Sequence, residues 1–169
     1  MTDLKTSKTG KNLQEAFAGE SQANRKYLAF AKKAESEGHP QVAKLFRAAA
    51  AAETVHAHAH LRVMGGVGTT MANLQEAIGG ETHEFTRMYP EMIREAEAEG
   101  FEAASRNFSF ANAVEKIHAS LYQGALDNLG KNQVVDYFVC QVCGNTIEGS
   151  PHGPCEICGS PKTAFQKID

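Results

Sequence analysis

The chain has 169 residues, with 17 Lys and Arg against 20 Asp and Glu and a formal net charge of −3, enough for one mid-sized domain and a small appendage. The cations are scattered, which argues against nucleic-acid binding, and no apolar run nears the roughly 20 residues needed to cross a bilayer. The polar N-terminus lacks the apolar stretch of a signal peptide, so a cytoplasmic location is expected, without a membrane or nucleic-acid partner.

The first helix is predicted over about 11–37. Leu13, Phe17, Glu20, Asn24, Tyr27 and Ala31 follow the inner seam of a bundle, so Glu20 stands where a leucine is expected. Gly38 reads as a C-terminal cap and Pro40 as the first residue of the next helix. That second helix, about 40–64, places Val42, Phe46, Ala49, Glu53, His56, His60 and Val63 on one seam. His56 lies three residues after Glu53, so both reach the same face. His58 is expected to point to solvent, and His60 to have a core or supporting role.

The segment 65–70 is a glycine-rich linker. The third helix, about 71–99, turns Leu74, Ile78, Glu81, Phe85, Met88 and Met92 inward, with Glu84 three residues beyond Glu81. Pro90 is expected to kink it. The fourth helix, about 101–129, carries Phe108, Ala111, Glu115, His118, Tyr122, Ala125 and Leu129 on its seam.

The two halves repeat. Leu13–Ser21 reads like Leu74–Thr82 at an offset of sixty-one, whereas Phe46, Glu53 and His56 recur as Phe108, Glu115 and His118 at sixty-two. Each copy is a helical hairpin carrying a Glu and a Glu-x-x-His pair. Together they form the ligand set of ferritin-like di-metal carboxylate bundles. Gly19 and Gly80, each beside a ligand, cost about 1 kcal/mol apiece relative to Ala in a helix and point to backbones in close approach.

After a polar linker at about 130–136, all four cysteines fall in two Cys-x-x-Cys-Gly knuckles, Cys140/Cys143 and Cys155/Cys158. In a reducing compartment that clustering predicts a tetrathiolate metal site rather than disulfides. Zinc and iron both suit four thiolates, and spacing alone favours zinc slightly.

Glu20, Glu53-x-x-His56, Glu81-x-x-Glu84, Glu115-x-x-His118 and the two knuckles, in that order, resemble the rubrerythrin family over essentially the whole chain. The stretch Gly80–Glu84 leading to Met88-Tyr89-Pro90 is particularly similar. The resemblance implies an all-α ferritin-like four-helix bundle over 1–130 and a small β-rich rubredoxin-like metal domain over 131–169. It implies a non-haem di-iron peroxidase that reduces hydrogen peroxide to water in oxidative-stress defence. Electrons would come through the tetrathiolate iron from a reduced rubredoxin or its NAD(P)H-dependent reductase. By that similarity Glu53 and Glu115 bridge two irons, Glu20 binds the first, and Glu81 and His118 bind the second. Glu84 and His56 alternate on the first iron with its oxidation state. Tyr27 and Tyr89 match tyrosines that hydrogen-bond ligand carboxylates, with a plain core role as the alternative. Asn145 and Glu156 depart from the family, which usually has an aromatic and a proline there.

A one-electron site that reloads the pair must be redox-active, which selects iron over zinc for the cysteines. An iron-handling ferroxidase is the alternative function, and a non-catalytic zinc module the third. The latter leaves inward carboxylates and histidines buried without a counter-ion.

Linker length bears on assembly. If the second and third helices ran parallel in one bundle, the linker would have to regain about 27 Å along the axis. Residues 65–70 span at most about 23–25 Å. A domain-swapped homodimer is therefore expected, each di-iron site mixing residues of two chains. The linker after the fourth helix is also expected to be too short to return the cysteines to the middle of their own bundle.

Overall fold

The computed structural model describes residues 3–169. Its chain divides into two compact units, residues 1–68 and 69–169.

The first unit is a hairpin of two long helices, α1 (Lys8–Ser36) and α2 (Pro40–Val63), after a short 3-10 turn at Leu4–Thr6. The Ser7 hydroxyl caps α1 by accepting from Gly10 N–H at 3.0 Å. Gly38 ends it at φ +80°, the left-handed conformation that closes a helix, and Pro40 opens α2. The predicted seam of α1 holds: Asn24 and Ala31 are buried and Leu13, Phe17, Glu20 and Tyr27 half-buried.

Of the seam predicted for α2, Phe46, Ala49, Glu53 and His60 are half-buried in this unit and Val42, His56 and Val63 exposed. The face fully buried in this unit is an alanine stripe, Ala43, Ala50 and Ala57, one per heptad. Small side chains there let the helices approach closely. Asn24 takes advantage of this, donating from Nδ2 to Ala50 O at 2.7 Å and to Thr54 Oγ1 at 2.9 Å.

The second unit contains α3 (Thr70–His83), a π-helical turn at Glu84–Met88, α4 (Tyr89–Ala98) and α5 (Glu102–Asp127). The Thr69 side chain caps α3 by accepting from Ala72 N–H at 3.2 Å. The expected kink at Pro90 is realised as the π-turn just before it. Tyr89 N–H bonds back five residues to Glu84 O, and Pro90 sits in the first turn of α4, where its missing donor costs least. α3 and α4 both pack on α5, where Ser105, Val114 and Ala119 are buried.

A three-stranded antiparallel sheet follows, β1 (Tyr137–Cys140), β2 (Thr146–Glu148) and β3 (Phe165–Ile168), in the order β2-β1-β3. β1 pairs Tyr137 with Glu148 on one side and with Ile168 on the other. The linker 128–136 doubles back, Asn132 Nδ2 donating to Ala125 O and Asn128 O at 3.2 and 3.0 Å. This sets the sheet against α5 of its own chain: Val114 lies beneath Gly144, and His118 meets Thr146. The expected reach limit is therefore overturned. α5 runs only about 14 Å beyond His118, and a linker of that length spans about 30 Å.

Candidate metal centres

Each helical hairpin gathers its own set of donors. In the first unit, one donor atom from each of Glu20, Glu53 and His56 falls within 4.8 Å of the others. His56 Nδ1 is 2.9 Å from Glu53 Oε2, the contact that three-residue helical spacing dictates. In the second unit, Glu81, Glu115 and His118 meet the same criterion. His118 Nδ1 lies 2.7 Å from Glu115 Oε2 and 3.9 Å from Glu81 Oε1.

The second cluster is electrostatically strained as a set of bare carboxylates. Burial, a hydrogen bond with Glu115 and repulsion from Glu115 and Glu84 push Glu81 up to about 7. Burial and the charge of Glu115 also raise Glu84, against the opposing pull of His83 and His118. Burial, then Glu115, Glu84 and Glu81, raise Tyr89, which stays a neutral phenol. Glu84 thus acts electrostatically on the cluster from the π-turn, outside the tight donor trio. Like-charged carboxylates this close call for protons or a cation, and two hard, oxygen-rich sets with one imidazole each suit iron.

Other expected residues fall elsewhere. Tyr27 packs its ring against Phe30 and Phe46 at 6.3 and 6.0 Å. Tyr89 faces Phe108 at 6.2 Å, in the equivalent place of the second copy. His58 is exposed, as expected, and His60 half-buried. Gly19 and Gly80 do not mark a close approach among the described residues: a Cβ on either would meet nothing within 4 Å. Both lie on exposed helix surface.

The four cysteines converge. Cys140 Sγ is 3.7 Å from Cys158 Sγ, and Cys143 Sγ is 3.6 Å from Cys155 Sγ. A tetrahedral ion with metal–sulfur bonds of about 2.3 Å has edges of about 3.8 Å, so the spacing fits a tetrathiolate centre. Burial and the neighbouring thiols push Cys143 up. Burial also opposes ionisation of Cys158, but the Ser160 hydroxyl and backbone N–H outweigh it and bring Cys158 to about 6. Gly144 and Gly159, at φ +82° and +73°, make the knuckle turns that only glycine adopts readily.

Asn145 has a role that the sequence did not reveal. It is buried, and Nδ2 donates to Cys155 Sγ at 3.6 Å, so a polar donor occupies the place of the usual aromatic. Thr146 was missed as well. Its position three residues past Cys143 carries no recognisable signal.

The rubrerythrin family model matches residues 11–126. The chain belongs to the rubrerythrin family. The chain is 36% identical to Rubrerythrin-2 of Clostridium acetobutylicum, across 96% of this chain and 98% of that one. It is 35% identical to Nigerythrin of Nitratidesulfovibrio vulgaris, covering 98% of this chain and 90% of that one. Among solved structures, nigerythrin in a partially reduced state superposes with a TM-score of 0.59 at 32% identity, over 94% of this chain and 85% of that one. A fully reduced, all-ferrous state of nigerythrin gives the same TM-score. The fold is accordingly a ferritin-like helical domain followed by a rubredoxin-like one. The donor sets are those of a di-iron site and a rubredoxin-like iron site, in a family of peroxidase-type oxidoreductases of oxidative stress.

Proposed function

We propose that this protein reduces hydrogen peroxide to water at a di-iron site built from both donor trios, drawing electrons through its own tetrathiolate iron. The observation that carries this reading is the pairing, in one unit, of a Glu81/Glu115/His118 trio with a four-cysteine cluster packed against the same helix. When bound, the iron pair supplies together the two electrons that, with two protons, turn peroxide into two waters, and the cysteine-bound iron replenishes them singly.

The chain's residues have the following roles. Glu20, Glu53 and His56 from the first unit and Glu81, Glu115 and His118 from the second would hold the pair, with Glu53 and Glu115 as the carboxylates shared between the ions. Glu84 and His56 would serve as alternative ligands of one ion, the carboxylate suiting its oxidised and the imidazole its reduced form. Glu81 is raised to about 7 in the cluster without a cation, so a bound ion would take the place of its proton. Tyr89, kept protonated, offers its hydroxyl toward the carboxylates. The donor upstream is a reduced rubredoxin or an NAD(P)H-dependent reductase.

We further propose that residues 1–130 form the di-iron domain and 131–169 the electron-transfer domain, and that the protein works in the cytoplasm as a domain-swapped homodimer. No helix among the described residues is long and apolar enough to cross a membrane. Two features support the swap. Each unit holds half of the donors, and Val63 and Thr70 are joined by only six residues. Each unit also exposes large apolar side chains, including Leu45 and Val55 in the first and Met71 in the second. A monomeric mass at full di-iron occupancy would refute the swap.

The reaction itself is tested by reducing the iron-loaded protein anaerobically and adding one equivalent of hydrogen peroxide per pair. The expected result is rapid return of the ferric-thiolate absorption, much slower in Glu53→Ala. If the thiolate iron stays reduced while the pair reacts, or the protein instead mineralises added ferrous iron, the peroxidase reading fails in favour of iron handling.

A further inference from the structure

His118 has two ring nitrogens, and the fold assigns them different tasks. Nδ1 faces the carboxylates, 2.7 Å from Glu115 Oε2. Nε2 faces the opposite way, 2.9 Å from Thr146 Oγ1 at the start of β2. The Thr146 hydroxyl hydrogen is already committed, because Oγ1 donates to Gly144 O at 3.1 Å. A hydroxyl has one hydrogen, so toward His118 it can only accept. A metal at Nδ1 would leave the imidazole proton on Nε2, where Thr146 Oγ1, donating its own hydrogen to Gly144 O, can accept it.

We propose that Thr146 is a positioning residue: from the cysteine-bearing domain, it fixes the tautomer and ring orientation of His118 for metal binding at Nδ1. The inference rests on the proposed role of His118 as a ligand, but not on peroxide chemistry. The chain of hydrogen bonds runs His118 Nε2–H to Thr146 Oγ1, then Thr146 O–H to the carbonyl of Gly144, the residue after Cys143. Gly144 N–H in turn donates to Cys140 O at 2.8 Å. A helix-borne ligand is thus tied to the backbone of the first cysteine knuckle. A knuckle in its metal-bound shape holds Gly144 O in place, and with it the Thr146 hydroxyl.

The surroundings make this bond the determinant. A cavity of about 340 Å³ lies at this junction, lined by Leu74, His118, Leu121, Tyr122, Tyr137 and Thr146. Without the hydroxyl, Nε2–H would face that space. Partners that orient a metal-bound histidine through its other nitrogen typically change metal affinity 10–100-fold when removed.

The test uses the full chain with zinc in all its sites, which keeps it diamagnetic, and compares Thr146→Val with Thr146→Ser. Valine keeps the branched shape that suits β2 and removes only the hydroxyl; serine restores it. The wild type and T146S are expected to show a His118 Nε2–H nitrogen-15 signal protected from solvent exchange. T146V should lose that protection and bind zinc at the carboxylate–histidine sites about 10–100-fold more weakly, with the tetrathiolate site unchanged. Equal protection and affinity in T146V would overturn the inference, as would failure of T146S to restore them. If the wild type takes up zinc only at the cysteines, the reading of His118 as a ligand fails instead, a separate and recognisable result.

Discussion

Metal binding at the second trio should be governed by a proton on Glu81. Its carboxyl lies at about 7 because it is buried and shares its surroundings with Glu115 and Glu84. A cation entering the cluster must displace that proton below about pH 7, so apparent affinity should fall by about tenfold per pH unit from this group alone. Every other group of the cluster is common to the wild type and Glu81→Gln. The quantity to follow is therefore the ratio of wild-type to Glu81→Gln affinity, measured by zinc competition with the tetrathiolate site already filled. Between about pH 7.5 and about 5.5 the ratio should fall about 25-fold. Glu84, also raised, remains in both proteins and cancels.

The same shift has the opposite sign for stability without metal at the carboxylates. The unfolded chain releases the Glu81 proton near 4.5 and the folded chain near 7. The folded state therefore binds more protons in that window, and its stability declines as pH rises from about 4.5 to about 7. With chelator at about pH 8, E81Q should melt above the wild type; with metal it should melt below. A pH-independent affinity ratio, or E81Q melting no higher than wild type with chelator, would refute the argument.

Other perturbations address the scaffold. Asn24→Ala removes the two bonds that tie α1 to α2, at 2.7 and 2.9 Å, and should cost about 1–3 kcal/mol in denaturant titrations at fixed protein concentration. A loss under about 0.5 kcal/mol would mean that water replaces the amide. Asn145→Leu removes the N–H donor to Cys155 Sγ, which stabilises the more negative, reduced tetrathiolate. Its reduction potential should fall in spectroelectrochemistry, and an unchanged value would show that the bond does not tune the site.

The helices and their caps were legible because apolar period, Gly38 and Pro40 are local signals of how a chain turns. The donor trios were legible because three-residue spacing fixes which side chains share a helical face. The alanine stripe by which α2 packs on α1 was not legible, since it scarcely stands out in a run as alanine-rich as Ala48–Ala52. The seating of the cysteine domain was misread for another reason. A linker's length bounds its reach but not its direction, and the doubling back depends on contacts of Asn132 and Thr146 that no spacing encodes.

The π-turn was written in the sequence, but only in the comparison of the two copies. Glu20 and Glu81 are offset by sixty-one residues, whereas Tyr27 and Tyr89, and Gly38 and Gly100, are offset by sixty-two. One extra residue therefore entered between Glu81 and Tyr89, and the π-turn at Glu84–Met88 lies wholly inside that interval. Widening one turn absorbs the insertion. Tyr89 then keeps its pairing with Phe108 at 6.2 Å, as Tyr27 keeps its own with Phe46 at 6.0 Å. The widened turn begins at Glu84, the carboxylate for which Ala23 stands in the first copy. Deleting exposed Thr86 should restore a continuous α-helix and leave the hairpin folded, while withdrawing Glu84 from the cluster. A double-mutant cycle would decide this: Glu84→Gln should weaken zinc binding in the full chain and change nothing in the deletion. If Glu84→Gln weakens both equally, the π-turn is a scar of insertion and α-helical geometry alone suffices to place Glu84.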